Sequence, residues 1–168
     1  AGAARPTAKA EVGPTAVETQ KASVKNIMAF GDSQMQGIAR MGGAPFEAHY
    51  KVGARISKVE SIMRQYLPGA LRANPSLSTI YVQTGGNDRW DAGRIGWKKT
   101  VEHMQRDMRH LVAAVKEINR TIRPSPPLQI VIGTLMPYEK TPGENQSDND
   151  IHQTCVAYNE WLRQDHAK

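Results

Sequence analysis

Apolar positions along the chain fall into short unbroken runs and helical stripes that alternate with one another. Ile27-Met28-Ala29-Phe30, entered from Asn26 and ending at Gly31, predicts a buried strand leading into a tight turn. Residues 34–41 read as a helix closed by Gly42-Gly43, and residues 46–52 alternate well enough for a second strand that ends at Gly53. Ile56, Val59, Ile62, Met63, Tyr66 and Leu67 share one helical face, with Pro68-Gly69 interrupting or ending that helix. Residues 78–83 are β-rich and run into Thr84-Gly85-Gly86-Asn87-Asp88. The clearest period is carried by Val101, Met104, Met108, Leu111, Val115, Ile118 and Ile122, which predict a long amphipathic helix stopping before Pro124. Residues 128–132 are a fourth buried-strand pattern. A polar loop over 133–150 and a final helix over 151–163 complete the chain. Strand alternating with helix predicts an α/β domain whose parallel sheet of at least four strands is covered on both faces, a three-layer α/β/α sandwich.

The first 24 residues differ in kind. They are rich in Ala, Thr, Pro, Lys and Glu and lack aromatic residues and sustained apolar periodicity. We expect a flexible or partner-docking arm at 1–24 and an α/β domain over 25–168. The arm lacks the continuous apolar stretch of an intact signal peptide. A chain of 168 residues suits one domain with one core. No apolar run approaches the ~18 residues of a membrane-spanning helix. Cys155 is the single cysteine, which excludes an internal disulfide. Together with a start that lacks Met, it leads us to expect an extracytoplasmic, secreted or particle-associated protein.

Lys plus Arg exceed Asp plus Glu by 22 to 16, a net charge of +6 that favours anionic partners. The basic residues are scattered, without zinc-finger spacing or aromatic RNA-binding motifs, so nucleic acid is not the expected partner. His103 and His110 lie off the apolar stripe and lack cysteine or carboxylate at metal spacing. They read as surface residues, and no metal or organic cofactor is implied.

Three predicted strands end in small-residue turns: Gly31-Asp32-Ser33-Gln34, Val52-Gly53-Ala54 and Gly85-Gly86-Asn87-Asp88. Each alone is an ordinary turn. In an open parallel sheet, however, functional groups gather beyond the carboxyl ends of the strands, where all three would lie. In this order and spacing they resemble the first three sequence blocks of the SGNH (GDSL) hydrolase superfamily, over roughly residues 25–164. The resemblance implies a flavodoxin-like strand order, with Ser33 as nucleophile and Gly53 and Asn87 as oxyanion-hole donors. A serine opening a helix after a strand presents its hydroxyl beside unpaired backbone N–H groups, and a developing oxyanion needs donors already aimed at it. A side chain at position 53 would crowd the substrate in this reading. Gln34-Met35 rules out the G-x-S-x-G elbow of α/β-hydrolases.

The family's fourth block, Asp-x-x-His, has no match. His152 follows Asp148 by four and Asp150 by two, with Asn149 at the matching position, and His166 adjoins Asp165. A base beyond Lys168 is the expectation, with His152 and Asp148 or Asp150 as the alternative. Asp32, Arg55, Arg89 and Trp90 are the candidate substrate-side residues, Asp32 more as an organiser of its turn than as a triad acid. Trp90 and Trp97 can stack on a sugar or fill core, and Arg55, Arg89 and Arg94 can draw in an acidic substrate or form a solvated rim. Two functions follow: a serine esterase or deacetylase acting on an acylated carbohydrate or small ester, or a catalytically degenerate SGNH-like structural or binding protein. The second would sit in a larger assembly such as a virion or envelope layer, gripping neighbouring subunits or an anionic surface through residues 1–24.

Overall fold

A computed structural model of the chain describes residues 16–20, 24–41, 46–138, 143 and 145–165. Its elements are β1 (Glu18–Gln20), β2 (Val24–Gly31), α1 (Ser33–Met41), β3 (Phe46–Tyr50), α2 (Ile56–Ala73) and β4 (Thr79–Gln83). A 3₁₀ turn (Asp88–Asp91), α3 (Ala92–Ile95), α4 (Trp97–Ile122), β5 (Gln129–Ile132) and α5 (Gln146–Asp165) follow. The sheet runs β1-β3-β2-β4-β5. β3, β2, β4 and β5 are mutually parallel, and β1 pairs antiparallel with β3 through Thr19 opposite His49. The four parallel strands therefore follow the flavodoxin-like order, with a short antiparallel edge added.

Alternation along the central strands sorts the core into two layers. Met28, Phe30, Ile80 and Val82 pack with α2, α4 and α5, while Ala29, Ala48 and Tyr50 face Met35 and Ala39 of α1 on the other side. The sandwich is thus three layers deep. The α2 and α4 stripes supply much of it, with Ile56, Met63 and Leu67 of α2 and Met104, Met108 and Leu111 of α4 almost wholly out of water. Burying each such side chain stabilises the fold by about 1.5–3 kcal/mol.

Several expectations are corrected. Glu18–Gln20 lies within the segment read as an arm, yet it forms an edge strand, because backbone pairing with β3 needs no apolar side chains. Residues 1–15 fall outside the described residues. α2 runs through Pro68 to Ala73. Proline there removes one intrahelical hydrogen bond, but Leu67 and Leu71 on either side are both buried and anchor the last turn. β5 is half-exposed rather than buried, Gln129 and Val131 facing out, since it ends the sheet among the described strands. α5 starts at Gln146, earlier than its apolar pattern, because Asn145 caps it: Oδ1 accepts the N–H of Ser147 at 2.9 Å.

Asp88 joins the turn after β4 to the start of α2. It is 6% exposed, and its Oδ2 accepts the backbone N–H of Ile56 at 3.1 Å. Burial pushes its carboxyl up to about 6, against the opposing pull of that hydrogen bond and of Arg55. A carboxyl whose folded pKa lies above its ordinary value favours the fold when protonated. Its ionisation therefore costs stability as pH rises from about 4 to about 6, on the order of 3 kcal/mol in all.

Two outcomes follow. Leu111→Ala should lower unfolding free energy by about 2–5 kcal/mol in urea titrations, whereas Glu102→Ala on the exposed face should change it by less than about 0.5. Asp88→Asn should gain stability relative to the parent between pH 4 and pH 7. A difference between the two proteins that stays flat over that range would remove ionic burial at Asp88 as the cause.

Candidate active site

β2 ends at Gly31, and α1 begins two residues later at Ser33. Gly31 is required there by space: a Cβ would stand 2.3 Å from the Gln83 carbonyl oxygen and 2.4 Å from the Met35 Cβ. That close approach lets Asp32 enter the interior. Its N–H donates to the Gln83 carbonyl at 3.2 Å, and its side chain is fully buried. Oδ1 accepts the N–H of Gln34 at 2.8 Å, capping α1, and Oδ2 accepts the N–H of Gly86 at 3.1 Å. One carboxylate thus fixes the start of α1 against the turn after β4. Burial raises its pKa, while the backbone N–H groups and the Arg89 charge oppose that rise.

Ser33, the first residue of α1, is exposed. Together with Asn87 it lines a groove of about 670 Å³ beyond the carboxyl ends of β2 and β4. Gln34 and Gly86 form the floor between them, and Met136 and Tyr138, from the segment after β5, line it too. The third turn joins through hydrogen bonds. The N–H of Lys51 donates to the Gly31 carbonyl at 3.2 Å, that of Ala54 to the Lys51 carbonyl at 3.1 Å, and Asn87 Nδ2 to the Ala54 carbonyl at 2.9 Å. Gly53 sits inside this turn with φ +78, a conformation that favours glycine. No atom lies within 4 Å of a Cβ built at position 53, so within the protein its requirement is conformational, not steric. It is not a lining residue of the groove.

The other candidates separate. Asp32 is enclosed and spent on backbone N–H groups, so the structure gives it the organiser's place and not a surface for substrate. Arg55 pairs in two hydrogen bonds with Asp91, which also meets Arg94 at 3.6 Å. Asp91 is held below the usual carboxylate range, chiefly by the Arg55 hydrogen bonds. Arg89 and Trp90 line the groove, Trp90 with 49% of its surface exposed. Trp97 instead packs against the core at the start of α4. His152 lies on α5 and is not a lining residue of the groove. Its Nδ1 is buried without a hydrogen-bond partner among the described residues. Neither Asp148 nor Asp150 bonds to it: Asp148 Oδ1 accepts the Tyr138 hydroxyl at 2.7 Å, and Asp150 Oδ1 accepts Gln146 Nε2 at 2.9 Å. His166 and the Asp165 side chain lie outside the described residues.

Two participants have weak sequence signals. Gln83, a polar residue closing an apolar strand, is buried and bridges Gln34 Oε1 at 2.8 Å to the Thr134 carbonyl at 3.0 Å, through Nε2. Tyr138 comes from a loop without periodicity, so nothing in the sequence placed it beside Trp90, which its ring meets edge-on at 5.6 Å. No cluster of three or more His, Cys, Asp or Glu side chains suited to a metal ion occurs among the described residues, and no helix there is long and apolar enough to cross a membrane.

No family model matches the sequence, and no curated protein matches it either. Solved structures do resemble the fold. A presumed acylhydrolase of Bacteroides fragilis superposes with a TM-score of 0.57 at 16% identity, over 86% of this chain and 65% of that one. This chain therefore spans slightly less than two thirds of that protein's length. An acetyl xylan esterase superposes with a TM-score of 0.51, also at 16% identity, over 83% of this chain and 72% of its own. At such identity the likeness is one of fold: this chain shares the α/β architecture of these hydrolases.

Proposed function

We propose that the chain is a serine esterase of the SGNH type that removes acyl groups, acetyl above all, from an acylated carbohydrate or small ester. The observation that carries this reading is the joint placement of exposed Ser33 and Asn87 in one groove at the strand-carboxyl rim. The fold shared with an acetyl xylan esterase supports it.

In this reading the Ser33 hydroxyl oxygen attacks the ester carbonyl, forming a C–O bond as its proton passes to a base. The negative charge that develops on the carbonyl oxygen is held by the Ser33 backbone N–H and the Asn87 amide, with the Gly53 N–H as the third donor that the SGNH resemblance implies. Asn87 spends one N–H on Ala54, which fixes the amide, and keeps a second for the oxyanion. The base returns the proton to the departing alcohol as the ester C–O bond breaks, and water then releases the acyl group from Ser33 by the same route. His152 is the described candidate for the base.

A second reading has its own support: among the described residues no histidine lines the groove. A serine without a base is a poor nucleophile, and the domain would then serve as an SGNH-like structural or binding protein in a larger assembly.

Incubation with p-nitrophenyl acetate and a fluorophosphonate probe separates the two. The esterase should label at Ser33, and Ser33→Ala should abolish both labelling and turnover. Asn87→Ala should lower kcat by about 10²–10³ with the circular dichroism spectrum retained. His152→Ala should match Ser33→Ala if His152 is the base, and leave the rate standing if another group is. A folded parent protein that neither labels nor turns over ester leaves the binding reading.

A further inference from the structure

A second hydrogen-bonded cluster lies away from the Ser33 groove, where β1 pairs with β3. Thr19 stands opposite His49 in that pairing, so the two side chains rise from the same face of the sheet. His49 is 2% exposed. Its ring stacks on Tyr66 of α2 at 4.0 Å between centres and on Phe30 of β2 at 5.8 Å, which fixes its orientation. Nε2 lies 2.7 Å from Glu47 Oε1, and Nδ1 lies 2.9 Å from Thr19 Oγ1. Burial lowers the His49 pKa against the opposing pull of Glu47, which favours the neutral ring. A neutral imidazole carries one N–H, and a carboxylate only accepts. The proton therefore sits on Nε2, and Nδ1 is left to accept from the Thr19 hydroxyl. The three groups form a directional relay from hydroxyl to imidazole to carboxylate, with the base aimed at the hydroxyl.

Both ends of the relay open on a cavity. Thr19 and Glu47 line a space of about 750 Å³ whose wall includes Ile27, Ala70 and Leu77, while His49 is not among its lining residues. Thr19 is exposed, so its oxygen can be reached while the base behind it is screened from water. This cavity shares no lining residue with the groove of Ser33 and Asn87. Holding the edge strand does not call for such a relay, because β1 already pairs with β3 through its backbone.

We infer that Thr19 is a second nucleophile, an acyl acceptor that takes an acyl group from a thioester. The Thr19 oxygen forms a bond to the thioester carbonyl carbon as its proton passes to His49 Nδ1. The C–S bond then breaks, and His49 returns the proton to the departing sulfur, which leaves as a thiol. The product is an O-acyl threonine, one per chain. A thioester suits this relay because its carbonyl is already activated, and the wall of Ile27, Ala70 and Leu77 offers an apolar surface to the acyl chain. Glu47 acts through His49 as a positioning residue that holds the ring in the productive tautomer.

The test uses the full chain carrying Ser33→Ala, which removes the hydroxyl of the other groove. It is incubated with the small thioester S-acetyl-N-acetylcysteamine, and O-acetyl groups are located by peptide mass spectrometry over time. Thr19 should acetylate about 10²-fold or more faster than Thr121, an exposed threonine of α4 whose hydroxyl donates to the Glu117 carbonyl. His49→Gln should bring Thr19 down to the Thr121 rate, and Thr19→Ser should still accept acetyl at position 19. Glu47→Gln changes a half-exposed side chain, so it tests the relay even where loss of the buried imidazole prevents folding. With its circular dichroism spectrum retained, that variant should also acetylate slowly. A Thr19 rate equal to that of Thr121, or an undiminished rate in folded Glu47→Gln, would overturn the inference. A relay that only held β1 in place would alter stability in these variants and leave Thr19 without acetyl. Neither result depends on Ser33, so the esterase reading stands or falls separately.

Discussion

The candidate site depends on one buried carboxylate. Asp32 carries its charge into the interior and distributes it between two backbone N–H groups, one opening α1 and one in the turn after β4. Two unpaired N–H groups and an unpaired carboxylate would each be expensive out of water, so the three are stable only together. Ser33 and Asn87 inherit their placement from this arrangement, Ser33 between Asp32 and the anchored Gln34 and Asn87 directly after the anchored Gly86. That the Asp32 carboxyl titrates above its ordinary range shows that desolvation outweighs what the two donors return. The site thus carries a local electrostatic cost, offset by the large apolar layers beneath it.

Space enforces the same geometry. Gly31 stands where a Cβ would meet the Gln83 carbonyl oxygen at 2.3 Å and the Met35 Cβ at 2.4 Å, while at Gly86 it would press on the movable end of the Gln34 side chain at 2.7 Å. These glycines let neighbouring turns approach closely enough for Asp32 to span them. Gly53 answers a different demand, a positive φ in a turn with open space around it. Three glycines that look alike in sequence therefore do two kinds of work.

Charge at the rim is similarly differentiated. Asp91 holds Arg55 and Arg94 as part of the wall, whereas Arg89 is pinned by a carbonyl and two aromatic rings. A cation held by neutral groups keeps its charge available to a ligand, while one held by a carboxylate does not. Distance along the chain gives no hint of this. Arg55 and Asp91 are 36 residues apart, and Arg94 is three from Asp91.

The sequence by itself determined the alternation of strands and helices, the long α4 stripe and the turns that carry Ser33, Gly53 and Asn87. Those features are local: a period of two or of 3.6, or a glycine after an apolar run, is legible wherever a segment buries one face. Where local pattern was absent the reading failed. Glu18–Gln20 joins the sheet through backbone pairing, α2 passes Pro68 because Leu71 is buried beyond it, and Asn145 starts α5 in a polar stretch. Only the tertiary structure decided which arginines pair with a carboxylate, that Tyr138 reaches Trp90, and that Asp148 and Asp150 bond to groups other than His152. These depend on pairs brought together by packing of the whole sheet and its helices, and such partners leave no periodic trace in the chain.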